Sequence, residues 1–290
     1  MRYGIPSYRL PREVLDREID WILSAGVQFV PNTEIGRDVE MADLVREYDA
    51  VFIGAGLGEP ESPSIPGADV PGVISAYSFL RAAGEPDENT RQQALGEVIA
   101  QPLGQVVVLG GGNVAVDAAC TALRMGAESV AVAYRRTRAE MPAWAEEVEL
   151  AEEEGVKLVF LLSPAEVLQA DGKVRGVRMT RMRLAEDDAS GRPRPAPSGE
   201  PDETIEADTV VLAFGQAPNE SIFSSLPSLA RSEAGMIAID AETGATSVAG
   251  VFAGGDAVNG GTTVVQAVSE GLRAAEGIRA YLDSVTPARD

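Results

Sequence analysis

The stretch 106–134 constrains the fold of this chain more than any other, because it joins an apolar strand, three consecutive glycines, a helix and a second apolar strand. Val106-Val107-Val108-Leu109 has the composition of a buried parallel strand, and Gly110-Gly111-Gly112-Asn113-Val114-Ala115 fits G-x-G-x-x-A at the strand-to-helix turn. In such a turn Gly110 permits the tight bend, Gly112 lets the backbone approach a pyrophosphate, and Ala115 lets the helix lie close to the strand. The phosphates then meet the positive N-terminus of the helix. Glycines at strand ends also serve ordinary turns, and it is the flanking strands and helix that favour a nucleotide site here.

The end of the second strand selects the nucleotide. A dinucleotide with a free ribose 2′-hydroxyl is usually held by an Asp or Glu about 20 residues past the glycines. Ser129–Tyr134 delivers Arg135 and Arg136 there instead, two guanidinium groups that can hold a 2′-phosphate by charge-assisted hydrogen bonds. NADP(H) is therefore expected over NAD(H).

A chain of 290 residues has room for two domains, or for one domain inserted into another. No apolar run is long enough to span a bilayer and the N-terminus, Met1-Arg2-Tyr3-Gly4-Ile5-Pro6, lacks a signal-peptide pattern, so a cytoplasmic protein without a membrane partner is expected. The single cysteine, Cys120, excludes an internal disulfide and an iron-sulfur cluster held by this chain alone, and reads as a small packed residue. The net charge of −21 argues against nucleic acid. Much of the acid (Glu146, Glu147, Glu149, Glu152, Glu153 and Glu154) lies on one predicted helix, either as a solvated face or as a docking surface for a basic electron-transfer partner.

There is no histidine in the chain, which removes histidine-dependent triads and the usual histidine metal sites. Neither a metal site nor a catalytic acid or base is expected. Hydride transfer between a nicotinamide and a flavin depends on stacking and orientation rather than on a side-chain base, so the flavin-linked class of dinucleotide enzyme gains weight.

A second strand-turn-helix lies near the C-terminus. Val251-Phe252-Ala253-Gly254-Gly255-Asp256 runs into a glycine turn with a carboxylate, and Thr262-Thr263-Val264 opens a helix. In two-dinucleotide flavoproteins this arrangement sets the Asp on the ribityl-phosphate part of FAD and the helix N-terminus toward the pyrimidine edge of the flavin. A bare turn with a capping Asp is the competing reading. Two further strands end in small residues that allow close approach to a dinucleotide, at Gly54-Ala55-Gly56 and at Gly215. Their order around the Gly110 turn describes an NADPH domain (103–214) inserted into an FAD domain (1–102 and 215–290).

Tyr3-Gly4-Ile5-Pro6-Ser7-Tyr8-Arg9-Leu10-Pro11, Gly110 to Asp117, Tyr134-Arg135-Arg136 with Glu140-Met141-Pro142, and Phe252 to Asp256 together resemble the glutamate synthase small-subunit family over nearly the whole chain. The same module is similar to parts of NADH-dependent ferredoxin:NADP oxidoreductase and dihydropyrimidine dehydrogenase. The resemblance implies an α/β flavoprotein with two Rossmann-like dinucleotide-binding domains, taking hydride from NADPH onto FAD and passing electrons to an iron-sulfur or large catalytic subunit. Alternatives are an electron-input subunit of the dihydropyrimidine dehydrogenase type and a non-catalytic NADPH-binding subunit that has lost FAD. Family members carry cluster-binding cysteines and a first FAD turn upstream of the Arg-Tyr-Gly-Ile-Pro loop, with which this chain opens. The FAD domain is therefore expected to be incomplete, and the chain alone to bind NADPH but retain little FAD.

Elsewhere the pattern predicts a helix over 15–25, strands at 27–30 and 51–53, a turn-rich segment over 59–72 and a helix near 76–83. Strands follow at 156–162 and 174–184, with a hairpin loop over 185–202.

Overall fold

The computed structural model describes residues 1–60, 63–99, 102–187 and 192–285. Its helices are α1 (Arg12–Ser24), α2 (Met41–Glu47), α3 (Ala76–Ala83), α4 (Glu88–Val98), α5 (Asn113–Arg124), α6 (Ala145–Glu153), α7 (Glu220–Ser225), α8 (Asp256–Asn259) and α9 (Val264–Val285). The strands are β1 (Val51–Ile53), β2 (Glu59–Pro60), β3 (Val73–Ser75), β4 (Gln105–Leu109), β5 (Ser129–Tyr134), β6 (Lys157–Phe160), β7 (Leu162–Ala170), β8 (Lys173–Asp187), β9 (Pro193–Pro197), β10 (Glu203–Glu206), β11 (Thr209–Leu212), β12 (Gln216–Ala217) and β13 (Val251–Ala253). They form two compact units, residues 1–27 with 62–215 and residues 28–61 with 216–290. The segment 1–102 is thus shared between the units, only its stretch 28–61 joining the C-terminal part.

The first unit is built on a parallel five-stranded sheet in the order β3-β11-β4-β5-β6. Successive side chains of a strand face opposite sides, so a strand covered on both faces is apolar throughout. Val106 and Val108 of β4 join a core with Phe79, Leu95, Val116, Cys120 and Val148 from the helices, whereas Val107 and Leu109 join Leu162, Val167, Val177 and Met179. Those last four belong to an antiparallel sheet in which β8 pairs with β7, β9 and β10. Fully burying each such Val or Leu stabilises the fold by about 1.5–3 kcal/mol. The β7–β8 hairpin turns at Asp171 and Gly172, both left-handed (φ 54° and 71°), the conformation a two-residue primed turn requires.

In the second unit β1 and β13 pair in parallel, with Val51 opposite Val251 and Ile53 opposite Ala253, and β2 pairs antiparallel with β12. Ile53, Val251 and Ala253 pack with Met41, Ile222, Phe223, Ile237 and Ala257. α9 lies close to the chain at Thr243, because Gly277 has no Cβ to meet the Thr243 backbone.

Two expectations need amending. Residues 27–30 form no strand: Val27, Phe29 and Val30 are 54%, 71% and 61% exposed, and the run pairs with no strand among the described residues. An apolar run alone does not make a strand when nothing pairs with it. The segment 185–202 is more than a loop, since β8 extends to Asp187 and β9 lies inside it, with 188–191 outside the described residues. Among the described residues no helix is long and apolar enough to cross a membrane.

Candidate functional site

The glycine turn of the first unit is set by close approaches on two of its three sides. Gly110 has φ 147°, and a Cβ there would run into the Ala213 carbonyl at the end of β11. At Gly111 a Cβ would enter the ring of Tyr134. Gly112 differs: it is extended (φ −90°, ψ 175°), and the nearest atom to an added Cβ is Pro142 Cγ at 3.9 Å. Internal packing does not require glycine at 112, which leaves the space in front of it for a group from outside the chain. Gly112 is the N-cap residue of α5, where the first backbone N–H groups of a helix lack intrahelical partners. Ala115 is fully buried, so α5 lies against the sheet, while Asn113 and Val114 stay at the rim, Val114 49% exposed. Gly215 (φ 112°) lies on the chain just past β11, exposed with nothing near its Cβ position. The parallel order β11-β4-β5 brings Gly215, the turn and the two arginines to the carboxyl ends of neighbouring central strands.

Arg135 and Arg136 sit together at the end of β5 but play different parts. Arg135 is exposed. Arg136 is turned inward, 6% exposed, and its Nε donates to the Pro193 carbonyl (2.8 Å). The residue before β9 fastens to the same place: Arg192 Nη2 donates to Tyr134 Oη (3.1 Å) and to the Glu140 carbonyl (2.5 Å). After Arg136, a capping box between Thr137 and Glu140 orders the loop, and Ala143 N donates to the Gly111 carbonyl (3.2 Å). Arg192 and Pro193 carry no local sequence signal for this role, since they reach the site only through tertiary contacts, whereas the 137–144 loop has one in the Thr137-x-x-Glu140 spacing.

In the second unit the paired ends of β1 and β13 place Gly54-Ala55-Gly56 beside Gly254-Gly255-Asp256. Gly255 is left-handed (φ 72°) and begins α8. Asp256 Oδ1 accepts from Thr262 N (3.4 Å), and Thr263 Oγ1 accepts from Gln266 N (3.2 Å), capping α9, which starts at Val264. Thr262 and Thr263 are exposed at this helix N-terminus. Sequence reasoning missed Glu270, which is 7% exposed and accepts from Gly255 N (2.6 Å), Asn259 Nδ2 (3.1 Å) and Gln266 Nε2 (2.8 Å). Burial opposes its charge, but those hydrogen bonds together hold its carboxyl below the ordinary range. The Gln266-to-Glu270 spacing of four was the available signal.

The N-terminal segment is tied to α5 through Asp117. Arg9 pairs with Asp117 and with Glu147 (2.9 Å), and Tyr8 Oη donates to Asp117 (3.3 Å). Burial pushes the Asp117 carboxyl up in spite of Arg9. Arg124 stacks over the Tyr8 ring at 3.6 Å and pairs with Glu154. Cys120 is buried, which pushes its thiol up to about 11. Of the six acids around α6, Glu147, Glu152 and Glu154 pair with Arg9, Arg138 and Arg124, so the acidic face is partly neutralised. Among the described residues no cluster of His, Cys, Asp or Glu could hold a metal ion.

Fold and turns together define an α/β protein with two Rossmann-like dinucleotide-binding units. The sequence pattern of the pyridine nucleotide-disulphide oxidoreductase family matches residues 8–271, and the chain belongs to that family. It is 46% identical over 283 residues to an NADP(+)-dependent formate dehydrogenase subunit beta of Moorella thermoacetica, covering 96% of this chain and 38% of that one. It is 38% identical over 293 residues to a glutamate synthase [NADPH] small chain of Escherichia coli, covering 98% of this chain and 61% of that one. The resemblance to the glutamate synthase small-subunit family is thereby borne out, and the chain spans 38% to 61% of the length of these two relatives. The fold is shared with FprA of Mycobacterium tuberculosis, whose structure in complex with NADPH matches with a TM-score of 0.79 at 18% identity, covering 98% of this chain and 75% of that one.

Proposed function

We propose that this chain is a subunit of a flavin-dependent oxidoreductase that binds NADP(H) and FAD and passes electrons from NADPH through FAD to an iron-sulfur or large catalytic partner subunit. The observation that carries the reading is the turn at Gly112, where glycine is not needed for packing yet stands at the N-terminus of α5, after the strand that pairs with the one leading to Arg135. Pyrophosphate fits that gap, with the α5 N-terminus supplying N–H donors and positive potential. Arg135 then holds the 2′-phosphate, while Arg136 and Arg192 fix the loop that carries it. For the flavin half, Gly255, Asp256 and the α9 N-terminus at Thr262-Thr263-Val264 supply backbone donors and a carboxylate, with Gly54-Ala55-Gly56 offering a surface without bulky side chains. When bound, FAD supplies the step from a two-electron hydride to single electrons. The residues named here bind and orient, and none is assigned as an acid or base.

The names of both relatives, as NADP(+)- or NADPH-linked subunits of a formate dehydrogenase and a glutamate synthase, support this reading. A cytoplasmic location goes with it. Calorimetry tests it: the purified protein should bind NADPH more tightly than NADH, and any FAD it takes up should not displace the nucleotide. A folded protein that binds neither nicotinamide nucleotide overturns the proposal. FAD that competes with NADPH for one site overturns its flavin part.

A further inference from the structure

The loop between β5 and α6 ends in a tryptophan whose position the proposed nucleotide site does not use. Its backbone is fastened to the glycine turn: Tyr134 Oη donates to the Glu140 carbonyl (2.8 Å), Ala143 N to the Gly111 carbonyl (3.2 Å), and Trp144 N to Asn113 Oδ1 (2.9 Å). Trp144 is thus held at the N-terminal end of α5, where it is also the N-cap residue of α6. Its side chain is 57% exposed. Tryptophan is highly buried on average, and a large indole left in water beside a helix N-terminus wants an explanation. Tyr134, the neighbouring aromatic, offers no free face, being 7% exposed and packed under Gly111.

We infer that Trp144 stacks on the purine of the bound dinucleotide. The inference rests on reading the Gly110 turn as an NADP(H) site. In NADP(H) the adenosine links the 2′-phosphate to the pyrophosphate. A nucleotide with its pyrophosphate at Gly112 and its 2′-phosphate at Arg135 therefore has its adenosine alongside the loop joining those two points, and Trp144 closes that loop. Stacking on an aromatic face does not discriminate among bases and needs no hydrogen bond to the ring, so Trp144 contributes affinity while Arg135 contributes the choice between NADP(H) and NAD(H). As an exposed side chain, Trp144 can be replaced without loss of core packing.

The chain has two tryptophans, so Trp21→Phe leaves Trp144 as the only indole emitter. The probe is adenosine 2′,5′-bisphosphate, which carries the purine and the 2′-phosphate but no nicotinamide. Its addition should quench Trp144 emission. Trp144→Ala should weaken the bisphosphate, NADPH and NADH by a common factor of about tenfold, Trp144→Phe should retain most of the affinity, and thermal unfolding should be unchanged. Arg135→Ala, by contrast, should weaken only the two ligands that carry a 2′-phosphate. Unchanged affinity and emission in the Trp144 tests, with NADPH binding intact, would overturn the stacking alone. Weakened NADPH binding with unaltered bisphosphate binding would move the indole to the nicotinamide end and overturn the purine assignment. If the unaltered protein binds none of the three, the nucleotide site itself is wrong and the stacking falls with it.

Discussion

Gly112→Ala separates a glycine kept for folding from one kept for a ligand. At φ −90° and ψ 175° an alanine meets no backbone strain, and with the nearest atom 3.9 Å from its Cβ it meets no steric clash. Restricting the unfolded chain contributes about 0.4–1 kcal/mol of stability, but Ala is a poorer N-cap than Gly by a similar amount, so the two offset and Tm should change by no more than about 2 °C. The same methyl group stands where the pyrophosphate must approach the α5 N-terminus. Losing one charge-assisted hydrogen bond there costs about 1.5–3 kcal/mol, so NADPH affinity should fall roughly tenfold to a hundredfold. Gly111→Ala, whose Cβ would enter the Tyr134 ring, should instead destabilise the fold. Differential scanning calorimetry and NADPH titration of the two variants give both readings. A Gly112→Ala protein that is as stable as the parent and binds NADPH equally well would refute the reasoning.

Arg135→Ala should weaken NADPH about tenfold or more and NADH little, and equal weakening of the two, measured by titration, would count against the 2′-phosphate role. Arg136→Ala should act on stability, lowering the denaturant midpoint through loss of the buried bond to Pro193 and its packing, at a cost of about 1–3 kcal/mol. Asp256→Ala should lower flavin content in the complex that contains this chain, read after denaturing release, and leave NADPH binding intact. Glu270 titrates in the folded state below its ordinary value, so its contribution to stability is complete above pH 4.5 or so and is lost as pH falls through the depressed value. Glu270→Gln should therefore lose stability at neutral pH and show a flatter acid limb in urea midpoints measured against pH.

The strand-turn-helix-strand around Gly110 was legible to within a residue, because β4 and β5 are covered on both faces and so remain apolar along their length, and because the glycines mark the turn. Helix α4 was not: ENTRQQALGEV buries only Leu95 and has no apolar stripe to read. β9 was hidden by its own prolines, which a strand tolerates at an edge, and PRPAP reads as linker when its partner β8 is unknown. The strand expected at 27–30 failed for the opposite reason, an apolar run with nothing to pair with. At the site, the two arginines were foreseen as a pair, but which of them faces outward depends on Pro193, 57 residues away. Glu270 likewise becomes meaningful only once Gly255 is seen to donate to it across a turn of 15 residues.

The central claim is that NADPH held on the Gly110 turn reduces a flavin held with the help of the Gly255 turn. The most direct measurement is the visible flavin absorption of the protein supplied with FAD, followed under anaerobic conditions as NADPH is added. The absorption should bleach with NADPH, more slowly with NADH, and return when an electron acceptor is admitted. Bound FAD that stays oxidised in the presence of bound NADPH would contradict the account.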